Sequence, residues 1–364
     1  MNHFYFIVFV CISAVKGSLY SMLDPNYPKD TKDMPKTHRQ LLLLKEDCGD
    51  VCDTSDRFKQ PGKYFDNIKK EFECDFLFES DLEVPRILDE QYDEEFQQPL
   101  RAWKIPPEIL EMFTYEKRVP FALMPMDDSK WTAQKDEELI WTQSDIELLK
   151  EVFKSGTMRG GYGVETVKNM SEIMQNHMLE QINGGHVLVI GSQTPWIEAM
   201  LLVFGASKVT TLEYSKITSE HPQIEVVTPD VLRDQYNAGN IPQFDAMVSF
   251  SSLEHSGLGR YGDALNPYGD LITMAKAWCL TKPGGRALVG MPCGMDLINF
   301  NANKLYGPIM LPHLFANWNQ IYSEYREFPD GLDTNPKDFC GAEDQPLRYC
   351  YQPMTVVEKP LNMP

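Results

Sequence analysis

Three things are scarce in this chain of 364 residues, and each scarcity removes a class of function. Positive charge is short: 34 Lys and Arg stand against 53 Asp and Glu, for a net charge of −19. A nucleic-acid partner, which needs a basic face to neutralise phosphates, is not expected. Long apolar runs are also missing. The run from Phe4 to Val15 has about 12 residues, short of the ~20 needed to cross a bilayer as a helix, so no stable membrane span is expected. Metal-type cysteine spacing is the third absence. CGDVC at 48–52 and the nine-residue gap between Cys340 and Cys350 lack a suitably placed histidine, so no metal site is expected.

What remains is a globular composition, 43% hydrophobic and 24% charged, long enough for one large or two ordinary domains. The apolar run at Phe4–Val15 precedes the small residues Gly17 and Ser18, which fits a cleaved secretory signal over 1–17, with a retained anchor as the alternative. The chain then belongs outside the cell or in the lumen of the secretory pathway. Seven cysteines follow the leader. An oxidising compartment favours disulfides among Cys48, Cys52, Cys74, Cys340 and Cys350, with connectivity open, while Cys279 and Cys293 read as buried thiols. Asn169-Met170-Ser171 is a sequon for glycosylation where it faces solvent. The acidic stretch from Glu46 to Glu95 reads as a solvated and partly disordered segment, with a site for a cation or a basic partner as the alternative.

Residues 18–140, acidic and broken by Pro106-Pro107, Pro120 and Pro125, read as an irregular layer with short helices. From 141 to 360 the pattern changes to an α/β domain. A helix over WTQSDIELLKEVFKSG has Ser144 as candidate cap and Gly156 as its stop; another spans Val164 to Ile182. HVLVIG is a continuous apolar strand of the doubly covered parallel kind. A helix from about Pro195 to Phe204 follows, then the strands SKVTTLEY, PQIEVVTPD and FDAMVSF. A helix over 268–281 and the strand KPGGRALVGMP complete the parallel series. NQIYSEYREF and LRYCYQPMTVVEK alternate as antiparallel edge strands do.

The chemistry concentrates where the strands end. The turn IGSQTPW offers Gly191, Ser192 and Gln193 for backbone approach to a ligand, but lacks the G-x-G-x-x-G that a pyrophosphate needs, which disfavours an NAD-dependent oxidoreductase. A structural turn is the bland alternative. Glu213 ends the second strand, about 20 residues on, where a carboxylate accepts both ribose hydroxyls of an adenosyl group. Asp230 is placed either to accept from an adenine amine or to cap a helix. After the fourth strand, SFSSLEHSGLGRYGD brings Ser251, Ser252, Glu254, His255, Arg260 and Asp263 to the crest of the sheet. Glu254 and His255 are candidates for general-base work or for locking the loop.

The ordered set VLVIGSQTP, TLEYS, VVTPD, FDAMVSFSSLEH and LTKPGGRALVGMP resembles the class I S-adenosylmethionine-dependent methyltransferases. SSLEHSGLGRYGDALNPYGD and FNANKLYGPIMLP look more closely like domain-of-unknown-function family 268, a family of nematode proteins with bacterial methyltransferase-like relatives. The resemblance covers about residues 140–330. It implies a Rossmann-like methyltransferase sheet, mostly parallel with helices on both faces, and S-adenosyl-L-methionine contacting Gly191, Glu213, Asp230 and the Ser251 region. The chain departs from that pattern at Val189, where the first motif has an acidic residue, and at Ser192 to Pro195, where it has glycines. Two functions follow as expectations: a secretory-pathway methyltransferase acting on a glycan hydroxyl, or a catalytically inactive secreted relative with a binding or structural role.

Overall fold

The computed structural model describes residues 44–45, 48–58, 68–79, 107–123, 139–240, 243–258, 260, 266–324 and 352–361. The leader, Asp263, Cys340, Cys350 and most of the acidic run lie outside them. In chain order the elements begin with α1 (Cys74–Glu79), α2 (Pro107–Phe113), β1 (Phe121–Leu123) and β2 (Leu139–Trp141). Then come α3 (Gln143–Lys154), α4 (Val164–His177), α5 (Leu179–Ile182), β3 (His186–Ile190) and α6 (Trp196–Val203). β4 (Lys208–Leu212), β5 (Ile217–Ser219), β6 (Ile224–Val227), α7 (Pro229–Asn237) and β7 (Phe244–Phe250) follow. The series ends with α8 (Gly269–Leu280), β8 (Thr281–Gly290), β9 (Leu297–Phe300), β10 (Asn303–Leu305), α9 (Met310–Leu314), β11 (Asn319–Ser323) and β12 (Met354–Glu358).

Seven strands form the central sheet in the order β11-β12-β8-β7-β3-β4-β6. From β6 to β8 every neighbour is parallel. β12 runs antiparallel to β8, and β11 antiparallel to β12, so β11 again points with the parallel five. The alternating carboxyl-terminal stretches thus do supply antiparallel strands, but only β11 is an edge; β12 is slotted inside. The continuous apolar run of β3 has its cause in this placement. Leu188 packs into a core on one face with Met247, Ala287 and helix α8, while Val187 and Val189 pack on the other with Met170, Met200 and Ile146 of the helices there. Each such side chain, taken out of water, contributes about 1.5–3 kcal/mol. This is a Rossmann-like methyltransferase sheet, mostly parallel and covered on both faces.

Several local expectations need correction. Thr142, not Ser144, caps α3: its backbone stays extended (ψ 153°) and its hydroxyl accepts from the Asp145 amide at 3.1 Å. Ser144 is already inside the helix. The helix expected to run from Val164 to Ile182 breaks at Met178 (φ −137°, ψ −2°), whose side chain is fully buried. Pro195 precedes the first helical residue of α6 and stands at its cap.

The cysteines also differ from expectation. Cys48 pairs with Cys52, and Cys74 in α1 pairs with Cys279 near the end of α8. Cys279 is therefore no free thiol, whereas Cys293 is, and is buried. The second bridge docks α1 onto the sheet's helical layer. Tyr236 of α7 donates to Asp75 at 2.9 Å and stacks on Phe78 at 3.9 Å between ring centroids. β1 adds parallel to β9, so the amino-terminal segment also supplies part of a three-stranded sheet beside the main one. Asn169 of the sequon sits half-buried in α4, its amide donating to Glu324 at 2.6 Å. Among the described residues no helix is long and apolar enough to cross a membrane.

Candidate functional site at the crest of the sheet

The sheet reverses its winding direction at β3. One neighbour, β4, is reached through α6; the other, β7, arrives from the opposite edge of the chain path. The crevice between carboxyl ends at such a point is where open α/β sheets place ligands.

The β3 side is built on a turn at Gly191 (φ +76°), whose amide donates to Leu212 O at 3.0 Å. Gly191 meets a second demand besides its backbone angle. A Cβ there would lie 1.9 Å from Ser252 Oγ, so the glycine lets the loop after β7 come down on the turn. Glu213 stands one residue past β4. Its Oε2 accepts from the Ser192 amide at 2.9 Å and its Oε1 from the Ser215 amide at 3.1 Å. The Tyr214 amide and the Ser215 side chain add to the donors around this carboxylate. Burial raises the Glu213 carboxyl, against which the amides of Ser215 and Ser192 lower it. Gln193 is exposed, and its carbonyl accepts from Trp141 Nε1 at 3.2 Å, which pins β2 against the turn.

Beneath this turn lies a residue that the sequence reading missed. Glu198, in α6, is wholly buried. Thr211 donates to its Oε1 at 2.8 Å, and Ser192 Oγ lies 3.2 Å from its Oε2. Burial pushes the Glu198 carboxyl up to about 7, with the charge of Glu213 adding to the rise. Ser192 Oγ carries one proton but also lies 3.1 Å from Thr194 O. A protonated Glu198 donating to Ser192, which donates onward to Thr194, satisfies every group. The signal was present in the sequence: Glu198 is the single charge in the apolar helix WIEAMLLV.

On the β7 side, Ser251 follows the strand at φ +52° and its amide donates to Gly290 O at 2.8 Å. Glu254 lies in a short turn over Leu253–His255 and is fully buried. Its Oε1 accepts from Ser251 Oγ at 2.8 Å and from Gln352 Nε2 at 3.0 Å. His255 Nδ1 lies 2.6 Å from Ala302 O. A carbonyl only accepts, so Nδ1 carries a proton. The ring's Nε2 is 3.7 Å from Glu254 Oε1. Arg260 Nη1 donates to the same Ala302 carbonyl at 3.2 Å. Gln352, just ahead of β12, was not foreseen, and no local pattern marks it.

The structure therefore brings Gly191, Ser192, Gln193 and Glu213 together on one side and Ser251, Glu254 and His255 on the other, joined where Ser252 meets Gly191. Asp230 is set apart from these hydrogen-bonded groups. It is in the first turn of α7, exposed, with Arg233 Nη1 at 3.4 Å. Among the described residues no group of three or more His, Cys, Asp or Glu is arranged to hold a metal.

Sheet order and direction define a Rossmann-like α/β protein with these polar residues at the carboxyl ends of its strands. The family model described as Caenorhabditis protein of unknown function, DUF268, matches residues 184–345, from the start of β3 to beyond β11. No curated protein matches the chain. Among solved structures, a 1,6-didemethyltoxoflavin-N1-methyltransferase from Burkholderia thailandensis, with bound 1,6-didemethyltoxoflavin and S-adenosylhomocysteine, is 15% identical. The match covers 64% of this chain and 87% of that one, with a TM-score of 0.33. A candidate RNA methyltransferase from Pyrococcus horikoshii is 11% identical over 60% of this chain and 100% of that one, with a TM-score of 0.35.

Proposed function

We propose that this chain is an S-adenosylmethionine-dependent methyltransferase of the secretory pathway. The observation that carries the reading is Glu213: a carboxylate at the end of the strand beside the switch point, held there by the backbone amides of Ser192 and Ser215. Two vicinal ribose hydroxyls fit that arrangement. Ser192 and Gln193 would line the same end, Asp230 the adenine end, and Ser251, Glu254 and His255 the reacting end. Bound S-adenosylmethionine supplies an electrophilic methyl group. The chain's own part is to align the acceptor and exclude water. For a hydroxyl acceptor, His255 Nε2 would take the proton while Ala302 O holds the ring by Nδ1–H. A glycan hydroxyl is the acceptor class we favour, since the secretory leader would bring the protein to glycans.

Ser252, seated over Gly191 where other sheets of this kind admit a ligand, favours a second reading: a scaffold that binds or supports without catalysis. Calorimetry with adenosylhomocysteine on the leader-free chain separates the two. The enzyme binds, and Glu213→Ala weakens binding roughly 100-fold, as expected for two hydrogen bonds to a charged group. Absence of heat for wild type and variant alike, at protein concentrations on the order of tens of micromolar, ends the enzymatic reading.

A further inference from the structure

Glu254 is the one acid of the crest whose surroundings stop short of satisfying it. Its side chain is 1% exposed, and both hydrogen bonds it accepts go to Oε1. Among the described residues Oε2 is buried with no partner, and so is Oε1 of Gln352. The orientation of the Gln352 amide is forced. Its Nε2 faces Glu254 Oε1 at 3.0 Å and Ser251 Oγ at 2.8 Å; flipping the amide would set oxygen against a carboxylate. Ser251 spends its proton on Glu254, so it accepts from Gln352, and the three groups form a closed set with two acceptor atoms left over. Both flanking residues also hold left-handed backbone, Ser251 at φ +52° and Gln352 at φ +58°. Strain of this kind in non-glycine residues persists where the surroundings over-determine the conformation, and it gathers at functional sites.

A half-satisfied buried network is more costly than an apolar core of the same shape. The two orphans are alike in kind: both only accept. A group that met both would bring at least two donors, and a cation would suit the acid besides. A hydroxyl has one donor and no charge; an ammonium has three donors and the charge. We propose that Glu254 and Gln352 form a binding site for a primary ammonium group of the ligand. Resting on the methyltransferase reading, two sources supply that chemistry: the amino-acid end of the sulfonium donor, or an amine on the acceptor. The first is compatible with a hydroxyl acceptor; the second narrows the acceptor to amino sugars or other primary amines.

The test uses the leader-free full chain and three probes. Adenosylhomocysteine and methylthioadenosine share the nucleoside and thioether, and only the former has an ammonium; n-butylamine supplies the ammonium alone. Wild type is expected to bind adenosylhomocysteine more tightly than methylthioadenosine by roughly tenfold or more, the scale of a hydrogen bond between charged groups. Glu254→Gln should abolish that preference. Because it also removes repulsion of the ligand carboxylate, a loss of preference reports the ammonium specifically. If the preference survives the substitution, but n-butylamine raises the melting midpoint of nucleoside-free wild type and not of Glu254→Gln, the acceptor is the source. Gln352→Met, which keeps the length of the side chain, should reproduce whichever effect is seen; melting curves of both variants establish that they fold. A preference and an amine response both indifferent to the substitutions overturn the proposal, and the orphans then hold water only. Failure of wild type to bind either nucleoside removes the methyltransferase reading alone, since the n-butylamine arm is run without nucleoside.

Discussion

Replacing Glu198 by Gln gives the most direct check on the electrostatics of the crest. The side chain is wholly buried between the β3 turn and β4, and its carboxyl is raised from 4.5 to about 7, chiefly by desolvation. At about 1.4 kcal/mol per pKa unit, that rise amounts to about 3 kcal/mol. The sign is opposite to the familiar salt-bridged carboxylate. Below about pH 4.5 the group is protonated in both states and contributes no pH dependence. Between about 4.5 and 7 only the unfolded chain releases the proton, so stability falls as pH rises; above 7 the loss levels off. Glutamine keeps the shape and the bonds to Thr211 and Ser192 but does not titrate.

Wild-type stability alone would blur this. Burial also lowers His186 to about 4 and raises Asp296 to about 6, and both titrate in the same window. His186 adds stability as pH rises from 4 to 6.5, whereas Asp296 loses it between 3.8 and 6. Both groups are unchanged in the variant, so the difference between the two chains reports Glu198 together with its coupling to Glu213. Urea unfolding at several pH values should show wild type losing about 3 kcal/mol relative to Glu198→Gln between about pH 4.5 and 7.5. A difference that stays constant across this range would mean that Glu198 is ionised in the fold, and the protonated Ser192–Glu198 arrangement would be wrong.

Two further substitutions probe the framework. Breaking Cys74–Cys279, which closes a separation of 205 residues, should cost up to about 5 kcal/mol on loop entropy, against about 2 kcal/mol for Cys48–Cys52 with its separation of 4; urea unfolding of the two paired Cys→Ser variants checks the order. Gly191→Ala, with φ +76° and Ser252 Oγ in its way, should destabilise by about 2–4 kcal/mol, and adding Ser252→Gly should recover all but the backbone strain of about 1 kcal/mol. Equal stabilities of the single and double variants would show that the loop after β7 does not press on the turn.

The parallel half of the sheet was legible because its cause is local. A strand covered on both faces tends to be apolar along its length, and β3 announces itself in that way, while β4 and β7 carry shorter apolar stretches with polar residues among them. Glu213 could be placed because a carboxylate immediately past such a strand has few other positions. What the sequence hid is what depends on distance along the chain. β12 is inserted between β8 and β11 by pairing between segments more than 60 residues apart, and no alternation of residues encodes a partner. Cys279 resembles any buried thiol in an amphipathic helix until α1 is laid beside it. Gly191 was read as an opening for a ligand; the structure shows it also as room for Ser252, since sequence indicates that a glycine is needed but not which neighbour needs it.

These hidden links bear on the crest itself. α8 carries Cys279 at one end and Asp270 at the other. Asp270 is wholly buried, paired with Lys304 at 2.5 Å and accepting from Tyr306 at 2.8 Å. Tyr306 Oη lies 3.4 Å from Leu253 O, in the turn that holds Glu254 and His255. The Cys74–Cys279 disulfide is therefore connected through α8 and a buried ion pair to the turn that holds the acid and imidazole of the candidate site. A buried charge that loses its partner costs about 3–5 kcal/mol, so this helix has little freedom to shift without unfolding the turn. The amino-terminal segment thus belongs to the support of the site: it fixes α8, and α8 fixes the loop where the polar groups converge.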